Sequence, residues 1–371
     1  MIYLRQVELR EVRLPLREPF RISSGLTTER RILLAQLHDG DGNSVWSECV
    51  AGEQPNYSPE TIDTAWHAIE QWIAPRYVGR SFDHDCVYDE LERDIRGHEM
   101  AKAAVEMGCW ALVAQQRQLP LAGLLGGSRN EVAVGISLGV QASVDALVQR
   151  AQAAQAQGYR KIKLKIMPGR DIDYVAAVRA ALPAAHLMVD ANNAYTIHDA
   201  DHLAQLDAYR LMMIEQPLDH TDLVQHARLQ RHLRTPICLD ESITSVQRAR
   251  DMIELGSGRI INIKPGRVGG YASSVRIHDV AQQHSIPVWC GGMLESGIGR
   301  AYNVALASLP NFTLPGDLSP SARYWEQDIV IPPWTMTGDG MMEVPRDVAG
   351  IGVQVDIDRI DNLTVRRQAL A

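Results

Sequence analysis

KIKLK at residues 161–165, HLMVD at 186–190, LMMIE at 211–215, PICLD at 236–240 and RIINIK at 259–264 decide the fold of this chain. Each is a short run built on Ile, Leu, Val or Met that ends on a charged residue. The closing residues Lys165, Asp190, Glu215, Asp240 and Lys264 stand 25, 25, 25 and 24 residues apart. The stretches between them space their apolar positions as amphipathic helices do. Strand and helix repeated in this way build a parallel α/β structure. Working outward, VAVGISL (132–138), PVWCGG (287–292) and FTLPGD (312–317) extend the series to eight strand candidates with seven intervening helices. That matches a (β/α)8 barrel, or a version short of one helix, with a doubly wound open sheet as the alternative.

Both flanks have a different character. VELREVRLPL alternates apolar and polar residues, and RRILLAQLHDGDGNSVWSE reads as two strands joined at an Asp-Gly turn. From about residue 58 to 118 the period becomes helical, so the N-terminal region is an α+β unit. After about residue 325 the repeat is lost, and this tail is expected to return to the N-terminal unit. The expected division is 1–125 as an α+β capping domain, 126–324 as the barrel and 325–371 as the returning segment.

Across all 371 residues, 46% are hydrophobic and 22% charged, which is ordinary for a globular protein with a large core. The net charge of −8 comes without a long basic run, so a nucleic-acid footprint is missing. No segment reaches the roughly 20 apolar residues needed to span a bilayer. The N-terminus carries charges where a signal peptide would be apolar. Cys49, Cys86, Cys109, Cys238 and Cys290 make no CxxC pair and read as reduced thiols. A cytoplasmic, homo-oligomeric protein with a small-molecule substrate and no membrane or nucleic-acid partner is expected.

In a parallel barrel the five strand-end charges would surround the C-terminal mouth, where active sites sit. Asp190, Glu215 and Asp240 would repel one another there unless a cation compensated them. An all-oxygen set without Cys or His in register favours Mg²⁺, with Mn²⁺ as the substitute. A single strand-end acid is more often a helix cap or a surface ion pair; three in register, flanked by lysines, are not explained that way. Lys165 and Lys264 lie on opposite sides of the arc, which suits proton exchange at a carbon. An ordinary lysine is too basic for that work at neutral pH. Lys163, on the same strand face, and the metal are expected to lower Lys165, and Arg267 to lower Lys264. Lys163 is assigned a tuning or carboxylate-binding role.

With KIKLKIMPG, VDANNAY, IEQPL, CLDES, NIKPGRVGG and WCGGMLESGIGR the chain resembles the muconate-lactonising subgroup of the enolase superfamily. Within that subgroup it is most similar to the o-succinylbenzoate synthase and N-acylamino acid (N-succinylamino acid) racemase family, over nearly its whole length. The resemblance implies a (β/α)7β modified TIM barrel under an α+β capping domain formed by the N-terminal region and the C-terminal tail. It implies Mg²⁺ on Asp190, Glu215 and Asp240, and Lys165 and Lys264 as the catalytic pair. Asn192 would orient the metal ligands, and Glu241 and Ser242 would brace Asp240. Pro19 to Gly25, including Phe20 and Ser23, resembles a loop that closes over substrate, with Tyr57 nearby. Ser137, Gly291, Gly292, Met293 and Glu295 resemble the pocket for the distal part of the substrate.

A mandelate-racemase relative would carry a His after the seventh strand, where this chain has Trp289, Cys290, Gly291 and Gly292. His284, on the preceding helix, reads as structural, and Cys290 as a packed thiol. The residues are common to o-succinylbenzoate formation by dehydration, as in menaquinone biosynthesis, and to N-acylamino acid racemisation; both start from one enolate. Dipeptide epimerisation and cycloisomerisation would keep the same five residues, although GDLSPSAR supplies Asp317 without a second acid. A non-catalytic binding barrel would have lost one of the five.

Overall fold

The computed structural model describes residues 1–22 and 25–371. The alternating N-terminal sequence forms strands Ile2–Ile22, Gly25–Asp39 and Ser44–Cys49 of one antiparallel sheet. The turn between the last two falls at the expected Asp-Gly stretch. Helix Glu99–Gln116 packs across this sheet and is buried along most of its length. The C-terminal strand Thr364–Leu370 pairs antiparallel with Ile2–Ile22, so the tail does come back to the first strand. Strand Met341–Glu343 pairs instead with Glu131–Ala133, just ahead of the first barrel strand.

Seven parallel strands follow in sequence order: Gly135–Leu138, Lys161–Lys165, Leu187–Asp190, Ile214–Glu215, Ile237–Leu239, Ile260–Ile263 and Val288–Cys290. All twenty-five of their residues are buried except half-buried Lys165, as expected for strands covered by helices on one side and by a packed barrel interior on the other. The eighth candidate, FTLPGD, forms no named strand. Phe312 bridges Val288 and Gly316 bridges Val134, both in parallel, so this segment closes the ring with isolated bridges. Pro315 has no N–H to donate, which limits the ladder this run can build.

Helices separate the strands, and several start where the sequence supplies a cap. Ser143, Asp171, Ser245 and Ser296 each accept a hydrogen bond from a backbone N–H of the helix they open. Met188, Met213, Cys238, Ile260 and Trp289 form a small apolar cluster separate from the main core. The first three stand two residues before Asp190, Glu215 and Asp240, the same-face position of each strand, so the cluster fills the barrel beneath the strand-end charges.

The N-terminal unit is fixed to the barrel through two buried carboxylates at helix starts. Glu48 accepts from the backbone N–H groups of Ser296 and Gly299 and from the Ser296 hydroxyl, at the start of helix Gly297–Ala307. Glu106 accepts from Tyr271 and Ala272 at the start of helix Tyr271–Gln283. Gly270 has φ +119°, and a Cβ there would lie 2.2 Å from the Glu106 carboxylate. Acids at helix N-termini complete unpaired N–H groups and meet the positive end of the helix dipole.

Candidate active site

A cavity of about 550 Å³ opens between the barrel mouth and the N-terminal unit. Ser137, Lys163, Lys165, Asp190, Asn192, Lys264, Gly292 and Met293 line it from the barrel; Phe20 and Tyr57 line it from above. Ser23 lies outside the described residues, and the expectation of a closing loop at Pro19 to Gly25 therefore applies to a stretch described only in part. The backbone pairs Phe20 with Thr27 and Ile22 with Gly25, extending the hairpin toward this stretch.

The charges predicted from register do converge. Lys165 Nζ donates to Asp190 Oδ2 at 2.6 Å and to Asn192 Oδ1 at 2.6 Å. Lys163 Nζ lies 3.1 Å from Glu215 Oε2 and 3.4 Å from Asp190 Oδ2. Lys264 Nζ donates to Asp240 Oδ2 at 2.8 Å and to the Tyr57 hydroxyl at 3.0 Å, and Arg267 bonds the other Asp240 oxygen. Tyr57 itself donates to Asp240 Oδ1 at 3.0 Å, so it sits on the charged row rather than merely near the loop.

Burial sets the proton affinities. Glu215 is pushed up to about 8, first by desolvation and then by the Asp190 charge, against the lowering effect of Lys163. Asp240 feels desolvation upward, but Lys264 and Arg267 outweigh it and hold the carboxyl well below its usual range. The expectation that Arg267 lowers Lys264 is reversed in net effect. Burial and Arg267 do press Lys264 down, but the Asp240 carboxylate and Tyr57 raise it well above the ordinary lysine range. Lys163 is raised likewise, because Asp317, Glu215 and Asp190 together overcome its desolvation.

Among the described residues no group of three His, Cys, Asp or Glu side chains is arranged to hold a metal ion. The three acids instead carry ammonium or guanidinium partners: Lys165 on Asp190, Lys163 on Glu215, and Lys264 and Arg267 on Asp240. The donor set nevertheless fits a hard cation. Asp190 and Asp240 raise the proton affinity of Glu215, and buried Glu241 Oε2 has no hydrogen-bond partner. Carboxylates that crowd one another in this way accommodate a divalent ion in all-oxygen coordination.

Two supporting assignments differ from expectation. Glu241 accepts from Asn192 at 3.0 Å and Asn193 at 3.3 Å rather than bracing Asp240. Gln216 holds that turn, accepting from the N–H groups of Asp240 and Ser242 and donating to the Ser242 hydroxyl. Glu295 is not among the described cavity-lining residues; it pairs with Arg300 at 3.3 Å and accepts from Asn303 at 2.7 Å. Ser137 is buried with an unpartnered hydroxyl on the cavity wall. Asn192 bonds Lys165 and Glu241, and its N–H bonds Asp190, as an orienting residue would. Cys290 is buried with its thiol pushed up by desolvation, and all five cysteines are unpaired. His284 is exposed at a helix end.

Asn262, Lys161 and Trp289 were not singled out by the strand-end pattern. Asn262 donates to Glu215 Oε1 at 2.7 Å, and Lys161 Nζ sits 3.5 Å from the centre of the Trp289 ring. Both belong to the charged strands, two residues before Lys264 and four before Lys165. Inward alternation was the signal available for them.

Comparison with known proteins agrees with this geometry. Residues 4–126 match the mandelate racemase / muconate lactonizing enzyme N-terminal domain, and residues 146–359 match the enolase C-terminal domain-like family. The chain is 47% identical to an o-succinylbenzoate synthase of Geobacillus kaustophilus, covering 98% of this chain and 96% of that one. It is 46% identical to an N-succinylamino acid racemase of Thermus thermophilus, covering 96% of each. A crystal structure of an enolase superfamily member from Listeria innocua superposes with a TM-score of 0.96 at 38% identity, over 100% of this chain and 99% of the other. The parallel barrel, the antiparallel unit above it and the two matched domains together establish that this chain belongs to the mandelate racemase / muconate lactonizing branch of the enolase superfamily.

Proposed function

We propose that this enzyme removes the proton from the carbon next to a carboxylate, and uses the resulting enolate for o-succinylbenzoate synthesis, for N-succinylamino acid racemisation, or for both. The observation that carries this reading is the placement of Lys165 and Lys264. They close the second and sixth barrel strands, with three strands between them, and both line one cavity. A carboxylate substrate held between them presents one face to each.

Asp190, Glu215 and Asp240 are the residues that would hold Mg²⁺. When bound, that ion would offset the repulsion among these carboxylates, lower the proton affinity of the nearby lysines and stabilise negative charge developing on the substrate carboxylate.

The lysines supply the proton chemistry. A neutral Nζ takes the α-proton, and the C–H electron pair moves into the carboxylate to give the enolate. In racemisation the opposite ammonium returns a proton to the other face. In dehydration the Lys165 conjugate acid protonates the departing hydroxyl, water leaves and the C=C bond forms, while Lys264 remains a cation beside the enolate. The raised proton affinity of Lys264 suits that second role. Asn192 and Tyr57 restrict the Lys165 and Lys264 termini, which reduces the entropy lost on reaching a reactive geometry.

The division at about 125 and 325, a cytoplasmic location and a homo-oligomeric state belong to the same proposal. The free cysteines agree with a reducing compartment, and among the described residues no helix is long and apolar enough to cross a membrane. The deciding experiment assays the dehydration substrate and N-succinyl-phenylalanine side by side with Mg²⁺. Turnover of either supports the reading; absence of both dehydration and α-proton exchange rejects it.

A further inference from the structure

Asp317 ends the segment that closes the barrel, and its carboxylate serves two lysines. Oδ2 lies 2.6 Å from Lys163 Nζ, nearer than Glu215 at 3.1 Å or Asp190 at 3.4 Å. Oδ1 lies 3.1 Å from Lys161 Nζ. Lys161 is completely buried, with its ammonium over the Trp289 ring, and the Trp289 Nε1 donates to Cys238 Sγ at 3.3 Å. The backbone of Asp317 is fixed as firmly as its side chain. Its N–H donates to Cys290 at the end of the seventh strand, and its carbonyl accepts from Arg300 of helix Gly297–Ala307.

We propose that Asp317 is a positioning residue for Lys163: braced by Lys161 against Trp289, it draws the Lys163 ammonium toward the closing segment and fixes it at the cavity floor. This rests on the proton-transfer reading above, in which Lys163 lies beside Lys165 and the row of acids. An ammonium as buried as Lys163 settles where negative charge is densest. Without Asp317 only Glu215 and Asp190 would remain, and Lys163 would shift onto them, away from where the substrate is aligned. A displacement of about 1 Å in such a site is enough to lower turnover on the order of 100-fold.

A rival role is purely structural. Lys161 needs a counter-charge to stay buried, and Asp317 supplies one. The test separates the two by removing that need. In Asp317→Asn, Lys161 is left uncompensated, so stability and kcat both fall. In the double variant Lys161→Met with Asp317→Asn, an apolar side chain of similar length rests on Trp289. Its melting temperature should return to within a few degrees of wild type, while kcat for α-proton exchange of N-succinyl-phenylalanine stays about 100-fold low and KM changes less than kcat. Recovery of wild-type kcat in the double variant would overturn the proposal.

A second readout is independent of activity. In metal-free crystals of the double variant, Lys163 Nζ should have moved toward Glu215 and Asp190. An Nζ within about 0.5 Å of its wild-type place would also overturn the proposal. If wild type itself neither exchanges nor dehydrates, the reaction assignment fails, and the Nζ displacement alone decides whether Asp317 positions Lys163.

Discussion

Replacing Gly291 by alanine tests the two-lysine mechanism with a single methyl group. Gly291 follows the seventh strand, and a Cβ built there would lie 2.6 Å from Lys264 Cε and 2.3 Å from Asn262 Oδ1. Ordinary contact begins at 3.4 Å, so the lysine stem must retreat by roughly the difference, 0.8 Å. Lys264 is held by Asp240 and Tyr57, and Asn262 by Glu215, so the displacement reaches the ammonium instead of being absorbed by a free side chain. Overpacking of this kind costs about 1–3 kcal/mol of stability. A shift approaching 1 Å at a reacting group costs on the order of 100-fold in rate. Lys165 closes the second strand, five places along the sheet from the seventh, and the atoms nearest a Cβ at Gly291 belong to Asn262 and Lys264. In deuterated water, Gly291→Ala should therefore lose about 100-fold in α-proton exchange of the one N-succinylamino acid enantiomer that Lys264 serves. The other enantiomer should exchange within a few-fold of wild type, and racemisation should fall with the slower face. Equal loss for both enantiomers, in a protein that melts cooperatively, would refute the assignment of one lysine to each face.

The other expectations follow from the same geometry. Lys165→Ala should still exchange the α-proton of one enantiomer and Lys264→Ala that of the other, with neither racemising; dehydration should collapse in Lys165→Ala, while Lys264→Arg retains part of it. Racemisation by either alanine variant at the wild-type rate would count against this. Chelation should abolish turnover and Mg²⁺ restore it, with the ion raising stability by about 2.7 kcal/mol at a hundredfold excess over its Kd; unchanged melting with and without Mg²⁺ would contradict the all-oxygen site. Glu48 and Glu106 are pushed up to about 7 by burial, so between their unfolded value of 4.5 and about 7 the folded chain holds protons that the unfolded chain has released. Their contribution to stability is complete below pH 4.5 and is lost as pH rises through 7, by at most about 3 kcal/mol each. Glu48→Gln should flatten the pH dependence of urea midpoints across this window, and an unaltered slope would show that Glu48 does not titrate there.

The barrel was legible because its strands share one local rule. The runs recur at a period that leaves room for one helix, and the five central ones end on a charge. The eighth run obeyed the composition of that rule but not its hydrogen bonding, since Pro315 lacks an N–H and the segment reaches its neighbours only at Phe312 and Gly316. The N-terminal sheet was legible from alternation. The means by which it grips the barrel was not, because Glu48 meets Ser296 across 248 residues and no local spacing encodes such a contact.

The site divides along the same line. Residues at strand ends announced themselves by register, and Lys165, Asp190, Asp240 and Lys264 meet as that register required. Their partners one alternation back, Lys163 and Asn262, lie on the same inward face, so period two alone places them below the row. What register could not supply was the direction of net charge effects. Sequence proximity of Arg267 to Lys264 suggested a depressed lysine, yet both groups lean on the same Asp240, and an acid shared by two cations raises each of them. A cation near a lysine always presses its proton affinity down, but the net shift is downward only when no carboxylate stands between them to outweigh it. Here Asp240 does, and on the proposed two-lysine reading Lys264 would serve as a base only once that carboxylate has another positive partner.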